Sequence, residues 1–318
     1  MTTTFDILTL GEALICFTGE PGRLSASATL KKSMGGAESN VAIGLARLGT
    51  KVAFASRVGD DPFGDEILRT LRSEGVDVSN VGRSATRPTG LMVKEPRSPD
   101  AVHVYYYRSD SAATEMQSAD FVEALQHSSH LHLSGITLAI GDASRSAAQE
   151  LMLFARDNGI RVSLDPNFRT KLGDIEQQAG YVRDVLACVD DLLVSEQEAA
   201  HLSKREGPPA AIERLLEMGP SRVVVRLGEK GSTAGSRDGE LCEVTAHHVG
   251  PVANTVGAGD AFTAGFLFEQ QAGSDLRTSM ETGSWVAAHV VTHAGDYEGA
   301  PFRNEYDAWR SGRGHEER

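Results

Sequence analysis

The chain of 318 residues is 40% hydrophobic and 24% charged, with a formal net charge of −13. It is long enough to bury a large core as one α/β unit, and no apolar run approaches membrane-span length. Its acidity excludes binding along a nucleic acid, which needs a basic face, but a single nucleotide could still sit in a local nest of backbone amides.

At the N-terminus, Met1-Thr-Thr-Thr-Phe-Asp6 has no basic region followed by an apolar segment. No secretory signal is therefore expected, and the chain reads as cytoplasmic. Residues 5–11 read as a buried strand ending in a glycine turn. Residues 39–48 carry helical spacing and stop at Gly49; 51–58 is a strand and 62–74 a helix ended by Gly75. Further strands are expected at 129–133, 160–164, 191–194 and 221–227, with helices at 143–157, 176–188 and 209–218 between them. Strand and helix alternating at this spacing indicate an α/β fold, a mostly parallel sheet with helices on both faces. Two stretches, 14–34 and 91–108, break the rhythm, and Val102-His-Val-Tyr-Tyr-Tyr-Arg108 alternates with period two. They read as a small β-sheet lid, built from insertions at about 12–34 and 88–109 into a single domain spanning 1–318. Residues 310–318 are polar and expected to fray.

The chemistry concentrates in Asn254-Thr-Val-Gly-Ala-Gly-Asp260-Ala-Phe-Thr-Ala-Gly-Phe266. Gly257 and Gly259 allow backbone amides to converge, and the helix that follows adds its positive end, so the turn is an anion site. Asp260 stands at that helix end, where the dipole favours its ionised form. An acid beside an anion site suits a reaction that removes a proton while negative charge is transferred, as in phosphoryl transfer to a hydroxyl. The tetrapeptide alone also fits a plain helix cap. It is neither a Walker A loop nor a dinucleotide fingerprint. A second signal is Gly35-Gly36-Ala-Glu-Ser-Asn40, a glycine pair before a helix start. A small polar ligand could lie on that backbone, with Asn40 offering a donor and an acceptor; a bare helix start reads the same way.

Together, Gly-Gly-Ala-x-x-Asn near residue 40 and Thr-x-Gly-Ala-Gly-Asp near residue 260 resemble the paired signatures of the PfkB/ribokinase family of sugar kinases. The likeness runs along the whole chain, through Gly11-Glu12, Arg57-Val-Gly-Asp-Asp-Pro-Phe-Gly64, Asp165-Pro-Asn-Phe-Arg169 and Leu227-Gly-Glu-Lys-Gly231. It implies a ribokinase-like three-layer α/β/α sandwich with a β lid, and ATP-dependent phosphorylation of a primary alcohol. By the same resemblance Asp260 is the base, and the amides of Gly257, Ala258 and Gly259 form the anion hole. The nucleotide side falls on Asn167, Arg226, Gly228, Lys230, Gly231 and Ser284, with Gly257 and Gly259; magnesium bridges the ATP phosphates, with Glu198 acting on it through water. Lys230 is equally good hairpin chemistry. The chain departs from the pattern at Asn254 and Ser195, where the family usually has Asp and Asn. A monovalent cation near Asn254 stays open.

Cys16 falls where many neutral-sugar kinases of the family carry a hydroxyl-gripping Asp. Alternation along Tyr105-Tyr-Tyr-Arg108 puts Tyr106 and Arg108 on one face. A phenol beside a guanidinium makes a carboxylate-binding pair, although an edge-strand Arg can simply meet solvent. Within the family the set resembles the 2-keto-3-deoxygluconate kinases, through Gly-Gly-Ala-Glu-Ser-Asn, Tyr-Tyr-Arg-x-x-Ser-Ala-Ala and Gly295-Asp296-Tyr-Glu-Gly-Ala-Pro301. That resemblance implies substrate contacts from Gly36, Asn40, Tyr106, Arg108, Arg169, Asp260 and Asp296. The product would be a 6-phosphate fit for aldol cleavage of the Entner–Doudoroff type. A second lid tyrosine of the subgroup is Met92 here. Fructokinase, ribokinase and 5-dehydro-2-deoxygluconokinase are the rival activities, and a non-catalytic sugar- or nucleotide-binding protein is the rival class. An NAD-dependent oxidoreductase would need GxGxxG after the first strand, and Gly11-Glu-Ala-Leu14 is not one.

His289/His293 and His130/His132 have spacings that could present two metal ligands but no third nearby, so they read as ordinary satisfied histidines. Cys16, Cys188 and Cys242 form no disulfide framework and no CxxC site. Trp285 reads as helix packing. The exposed edges of a small lid sheet invite pairing, so a homodimer through the lid is expected.

Overall fold

The computed structural model describes residues 4–98 and 101–312. The chain runs β1 (Ile7–Leu10), β2 (Leu14–Gly19), β3 (Leu30–Gly35), α1 (Ala37–Arg47), β4 (Val52–Gly59), α2 (Pro62–Ser73), β5 (Val81–Ser84), β6 (Leu91–Ser98) and β7 (Ala101–Tyr107). It continues α3 (Val122–Gln126), β8 (His130–Ser134), α4 (Gly135–Ala139), α5 (Asp142–Asp157), β9 (Arg161–Asp165), α6 (Ile175–Val185), β10 (Asp191–Ser195), α7 (Glu196–Ser203) and α8 (Pro208–Met218). It closes with β11 (Arg222–Arg226), β12 (Ser232–Ser236), β13 (Leu241–Val244), α9 (Ala258–Gln271), α10 (Leu276–Val290) and α11 (Arg303–Arg310).

The main sheet has nine strands in the order β13-β12-β11-β10-β9-β8-β1-β4-β5. It is parallel from β11 to β5, while β12 and β13 are antiparallel at one edge. β1 and β8 are buried at every position, as expected of strands covered by helices on both faces. Leu8, Leu10, Leu131 and Leu133 point into one apolar layer, and Ile7, Val52, Phe54 and Phe266 lie in the other. Among the described residues no helix is long and apolar enough to cross a membrane.

A separate four-stranded sheet, ordered β3-β2-β6-β7, forms the lid. β2 and β6 are parallel, although they belong to two different insertions, and each carries its own antiparallel partner. One lid face anchors on the main domain through Ile15, Met34 and Phe17, whose ring meets Phe63 of α2 edge-on at 5.9 Å. The other face carries Leu14, Cys16, Met92, Val104 and Tyr106. Asp61, which caps α2, also accepts from the backbone and hydroxyl of Thr89 at 2.8 Å each, pinning the root of β6.

Several stretches differ from their expected form. The 176–188 helix ends at Val185 and tightens into a 3₁₀ turn, Leu186–Cys188. Helix α7 has no counterpart in the sequence reading, since it is short and starts directly at a strand end. The edge strand β12 is masked in the sequence by its Gly- and Ser-rich composition, and β13 by its length of four residues. Of the tail expected to fray, Arg310 closes α11, and 313–318 lie outside the described residues.

Ser195, where the sequence resemblance leads one to expect Asn, caps α7. Ser195 Oγ accepts from the Glu198 amide at 3.2 Å, while Glu198 Oε2 accepts from the Ser195 amide at 2.7 Å, a reciprocal capping box. Ser195→Ala should lower stability by about 1 kcal/mol, read as a lower urea midpoint, with Ser195→Asn near wild type. An unchanged midpoint for the alanine variant would contradict this role.

Candidate active site

The C-terminal ends of the parallel strands and the N-terminus of α9 open onto one cleft, the usual ligand position in such sheets. Helices α1 and α9 set its floor. Gly44 lies one turn beyond Asn40, and Ala264 one turn beyond Asp260. A Cβ added to Gly44 would come within 2.7 Å of the Ala264 methyl. Only glycine permits that approach, and it brings Asn40 Nδ2 to donate to Asp260 Oδ2 at 2.7 Å, 220 residues away in sequence. Asn167 Nδ2 lies 3.4 Å from the other Asp260 oxygen. Asn40 Oδ1 is buried without a donor, which leaves an acceptor free for a ligand hydroxyl.

Asp260 is 8% exposed. Burial pushes its carboxyl up to about 7, the bond from Asn40 pulling down and the Asp165 charge pushing up. Sequence reading expected the helix end to favour the ionised form. Desolvation outweighs the dipole here. Asp260 is the third residue of α9, whose first residues have no acceptor one turn back. Among the described residues the amides of Gly257, Gly259 and Asp260 find no acceptor, and that of Ala258 makes a long 3.4 Å bond to Thr255. Gly257 has φ 82°, and a Cβ there would lie 1.9 Å from the Asp296 carbonyl. This glycine therefore seats the Asp296 backbone against the turn.

Strand ends β9, β10 and β11 contribute a charge network. Arg226 donates to both Asp165 oxygens at 2.7 and 3.0 Å and to the Gly259 carbonyl at 3.1 Å. Burial alone would favour its discharge, but Asp165 more than offsets this and holds Arg226 firmly charged. Past β9 the chain turns through Asn167 at φ 45°. Its amides are held by Asp165, by Glu198 Oε1 at 2.9 Å from Phe168, and by Gln178 at 3.0 Å from Arg169. The Arg169 side chain is exposed and close enough to lower the Asp260 pKa.

Both Glu198 oxygens are engaged by protein donors, and no group of three His, Cys, Asp or Glu capable of holding a metal occurs among the described residues. The donor set fits a magnesium ion carried mainly by phosphate oxygens and water, which is how Mg²⁺ is usually held. Gly228, Glu229 and Lys230 form an exposed 3₁₀ turn at the same end of the sheet, with the Lys230 side chain in solvent. Ser284 Oγ accepts from the His247 amide at 2.8 Å and so tethers the segment leading to α9. Asn254 bonds the Ala294 carbonyl at 3.3 Å and the Val256 amide at 3.0 Å, joining the two loops beside the turn.

On the lid, Tyr106 and Arg108 face inward while Tyr105 and Tyr107 are exposed. Arg108 differs from the free guanidinium expected. It is 7% exposed, its Nε donates to Glu12 Oε2 at 2.7 Å, and Nη2 pairs with the same oxygen. Ser111 holds the other Glu12 oxygen at 2.6 Å. Arg108 Nη1 keeps its hydrogens free among the described residues, and the guanidinium sits 5.4 Å from the Tyr106 ring centroid. Gly36, at φ 142°, lies against the Glu12 carbonyl, and its neighbour Gly35 lies against Asp296 Oδ2. The sequence reading missed Lys94, whose Nζ donates to Asp296 Oδ1 at 2.9 Å; alternation along β6, which puts Lys94 on the face of Met92, could have found it.

The paired histidines have hydrogen-bond partners, although His130 Nδ1 is buried without one. His130 and His132 share Ser163 Oγ, and burial lowers them to about 3 and about 4. Both are therefore neutral. His289 and His293 bond backbone carbonyls, and Trp285 stacks on Trp309.

The Asp260 shift carries a stability consequence. An unfolded Asp titrates near 3.8 and this one at about 7, so between those values the folded state holds the extra proton and stability falls as pH rises. Asp260→Asn removes that loss. Its melting temperature should exceed wild type by a margin that grows from pH 4 to 7 and then levels off, measured without nucleotide. A margin independent of pH would contradict the shift.

Residues 4–303 match the sequence profile of the pfkB family carbohydrate kinases. The chain is 34% identical to the 2-dehydro-3-deoxygluconokinase of Bacillus subtilis over 96% of its own length and 95% of the relative's. It is 30% identical to a 5-dehydro-2-deoxygluconokinase of Clostridium perfringens, over 90% and 87% of the two chains. The crystal structure of a PfkB protein from Polaromonas sp. JS666 superposes with a TM-score of 0.86 at 34% identity, covering 96% of this chain and all of that one. The fold is ribokinase-like, the activity is that of an ATP-dependent carbohydrate phosphotransferase, and the chain belongs to the pfkB family of carbohydrate kinases.

Proposed function

We propose that this kinase phosphorylates the primary 6-hydroxyl of 2-keto-3-deoxygluconate, the acid sugar also called 2-dehydro-3-deoxygluconate. The observation that carries the reading is the inward-facing Tyr106–Arg108 pair, in which a buried guanidinium keeps one nitrogen free beside a phenol. Such a pair suits a carboxylate. Cys16 is buried on the same lid face, across Met92 from Tyr106, and burial raises its thiol, so it supplies neither charge nor a strong acceptor for a neutral sugar. The named activity of the Bacillus subtilis relative supports the same acceptor.

In this mechanism Asp260 accepts the proton of the 6-hydroxyl as its oxygen bonds the γ-phosphorus and the bond to the β-phosphate oxygen breaks, releasing ADP. A base with a pKa near 7 is matched to neutral operation. The amides of Gly257, Ala258 and Gly259 take up the transferring charge. Asn40 orients the base and accepts from a sugar hydroxyl through Oδ1, while Gly36, Arg169 and Asp296 line the acceptor. Arg226 acts through the Gly259 carbonyl, and Asn167, Gly228, Lys230, Gly231 and Ser284 lie on the nucleotide side. Magnesium on the phosphates would neutralise their charge, with Glu198 reaching it through water. A monovalent cation by Asn254 remains part of the same proposal, as do a cytoplasmic location and a dimer through the lid edges, where Leu30, Val102, Tyr105 and Tyr107 are exposed.

The test is a coupled ADP-release assay offering 2-keto-3-deoxygluconate, 5-dehydro-2-deoxygluconate, fructose and ribose. The first should give the highest kcat/KM; a clear preference for any other would overturn the assignment. Asp260→Asn should cut kcat by about 10²- to 10⁴-fold with nucleotide affinity retained, and near-normal turnover would remove it as the base. Arg108→Ala should lower kcat/KM for the acid sugar far more than for fructose. Equal losses would remove the carboxylate argument.

A further inference from the structure

Lys94 has no role among those assigned above, and its surroundings are unusual for a lysine. Its side chain is 13% exposed and its partner Asp296 is 9% exposed. Burial is the largest influence and works against the ammonium, but the Asp296 charge and hydrogen bond, with Cys16 and Tyr106, together outweigh it and raise the Lys94 pKa. An ammonium has three hydrogens to donate, and Asp296 Oδ1 takes one of them. Among the described residues the other two find no acceptor, and Asp296 Oδ2, beside Gly35, receives no donor. Buried polar groups left short of partners are costly unless something else supplies them.

The register places that deficit in the acceptor pocket. On β6, Met92 pairs with Cys16 on one side and Tyr106 on the other, and Lys94, two residues on, pairs with Thr18 and Val104. Lys94 therefore shares the inward lid face with Cys16 and Tyr106, and its charge acts on both. Arg108 lies by the same Tyr106 ring. Two cations, each only partly compensated by a carboxylate, thus lie near one phenol. Met92 offers nothing polar between them.

We propose that Lys94 is a specificity-determining residue, whose ammonium, anchored by Asp296, donates to an anionic or carbonyl oxygen at the acid end of the acceptor. The inference rests on the acid-sugar reading above and deepens it. Asp296 does two things at once: its side chain aims Lys94, and its backbone carbonyl packs against Gly257 of the anion turn. The acid end of the acceptor is thereby placed relative to the site of transfer. A lysine serving only as a latch between lid and domain would affect every acceptor alike.

The experiment compares wild type, Lys94→Met and Lys94→Arg with 2-keto-3-deoxygluconate and with fructose, at saturating ATP. Loss of a charge-assisted contact should raise KM for the acid sugar about 10- to 100-fold in the methionine variant, with kcat changed far less. The fructose kcat/KM should stay within about twofold, a change too small for a lost hydrogen bond, and the arginine variant should recover most of the loss. Lys94→Gln, which keeps a donor without charge, serves if the methionine variant does not fold. Equal losses on both acceptors, or an undiminished preference for the acid sugar, would overturn the Lys94 assignment. A wild-type enzyme that uses both acceptors equally would instead overturn the acid-sugar reading, whatever the variants do.

Discussion

The contact between Gly44 and Ala264 governs the cleft. Two helices approach closely enough for Asn40 to reach Asp260, and the same approach buries the carboxyl. Burial creates a tension, since the start of α9 offers amides to an anion while the low-dielectric surroundings resist the aspartate's own charge. The result is a proton held to about neutral pH by an acid beside an amide-lined turn. A larger residue at position 44 would separate the helices and let water in, and Asp260 would become an ordinary helix-capping acid.

Around that point the strand ends supply rigidity rather than further reactive groups. Asp165 and Arg226 neutralise one another, and Arg226 also grips the Gly259 carbonyl, so the turn is held from behind. Glu198 spends its oxygens on the Ser195 cap and on the Phe168 amide. These bonds fix the loop through Asn167, whose left-handed backbone is uncommon outside glycine. Buried pairs of this kind stabilise little in net terms. Their contribution is positional, because they hold the backbone of the turn and of the Asn167 loop in place.

Much of this was legible in the sequence, for physical reasons that can be named. The buried strands β1 and β10 announce themselves as mostly apolar runs, and α2 and α5 as amphipathic periods, because burial on two faces or on one leaves those signatures. The turn before Asp260 is local chemistry within a few residues, as is the Gly35-Gly36 start of α1. What was not legible depends on partners far apart in the chain. Glu12 and Arg108 are 96 residues apart, and Lys94 and Asp296 are 202. No periodicity encodes that Arg108 arrives already paired, or that Lys94, whose face alternation gives, meets Asp296 there. The pKa of Asp260 belongs to the same class: its helix position is written locally, but its desolvation is set by the packing of α1.

The electrostatics of the cleft connect these observations. A kinase acting on an acid sugar brings two anions, acceptor and nucleotide, towards a carboxyl that must lose its proton near neutrality. Each added negative charge raises that carboxyl further, as Asp165 and Asp296 already do. An acceptor carboxylate would worsen the problem unless it arrived with compensation. Arg169 stands near Asp260, and the lid contributes Arg108 and Lys94, each tied to its own acid yet with donors to spare. Carrying these cations on an insertion separates two requirements. On the proposed mechanism, the main domain keeps a base poised for a primary alcohol, while the lid selects which acceptor approaches without discharging it. In that arrangement acceptor selectivity and base strength are not independent properties. On that proposal a lid cation that binds the acid end of the sugar would also shield Asp260 from its charge, so specificity could be altered on β6 and β7 without rebuilding the turn before Asp260.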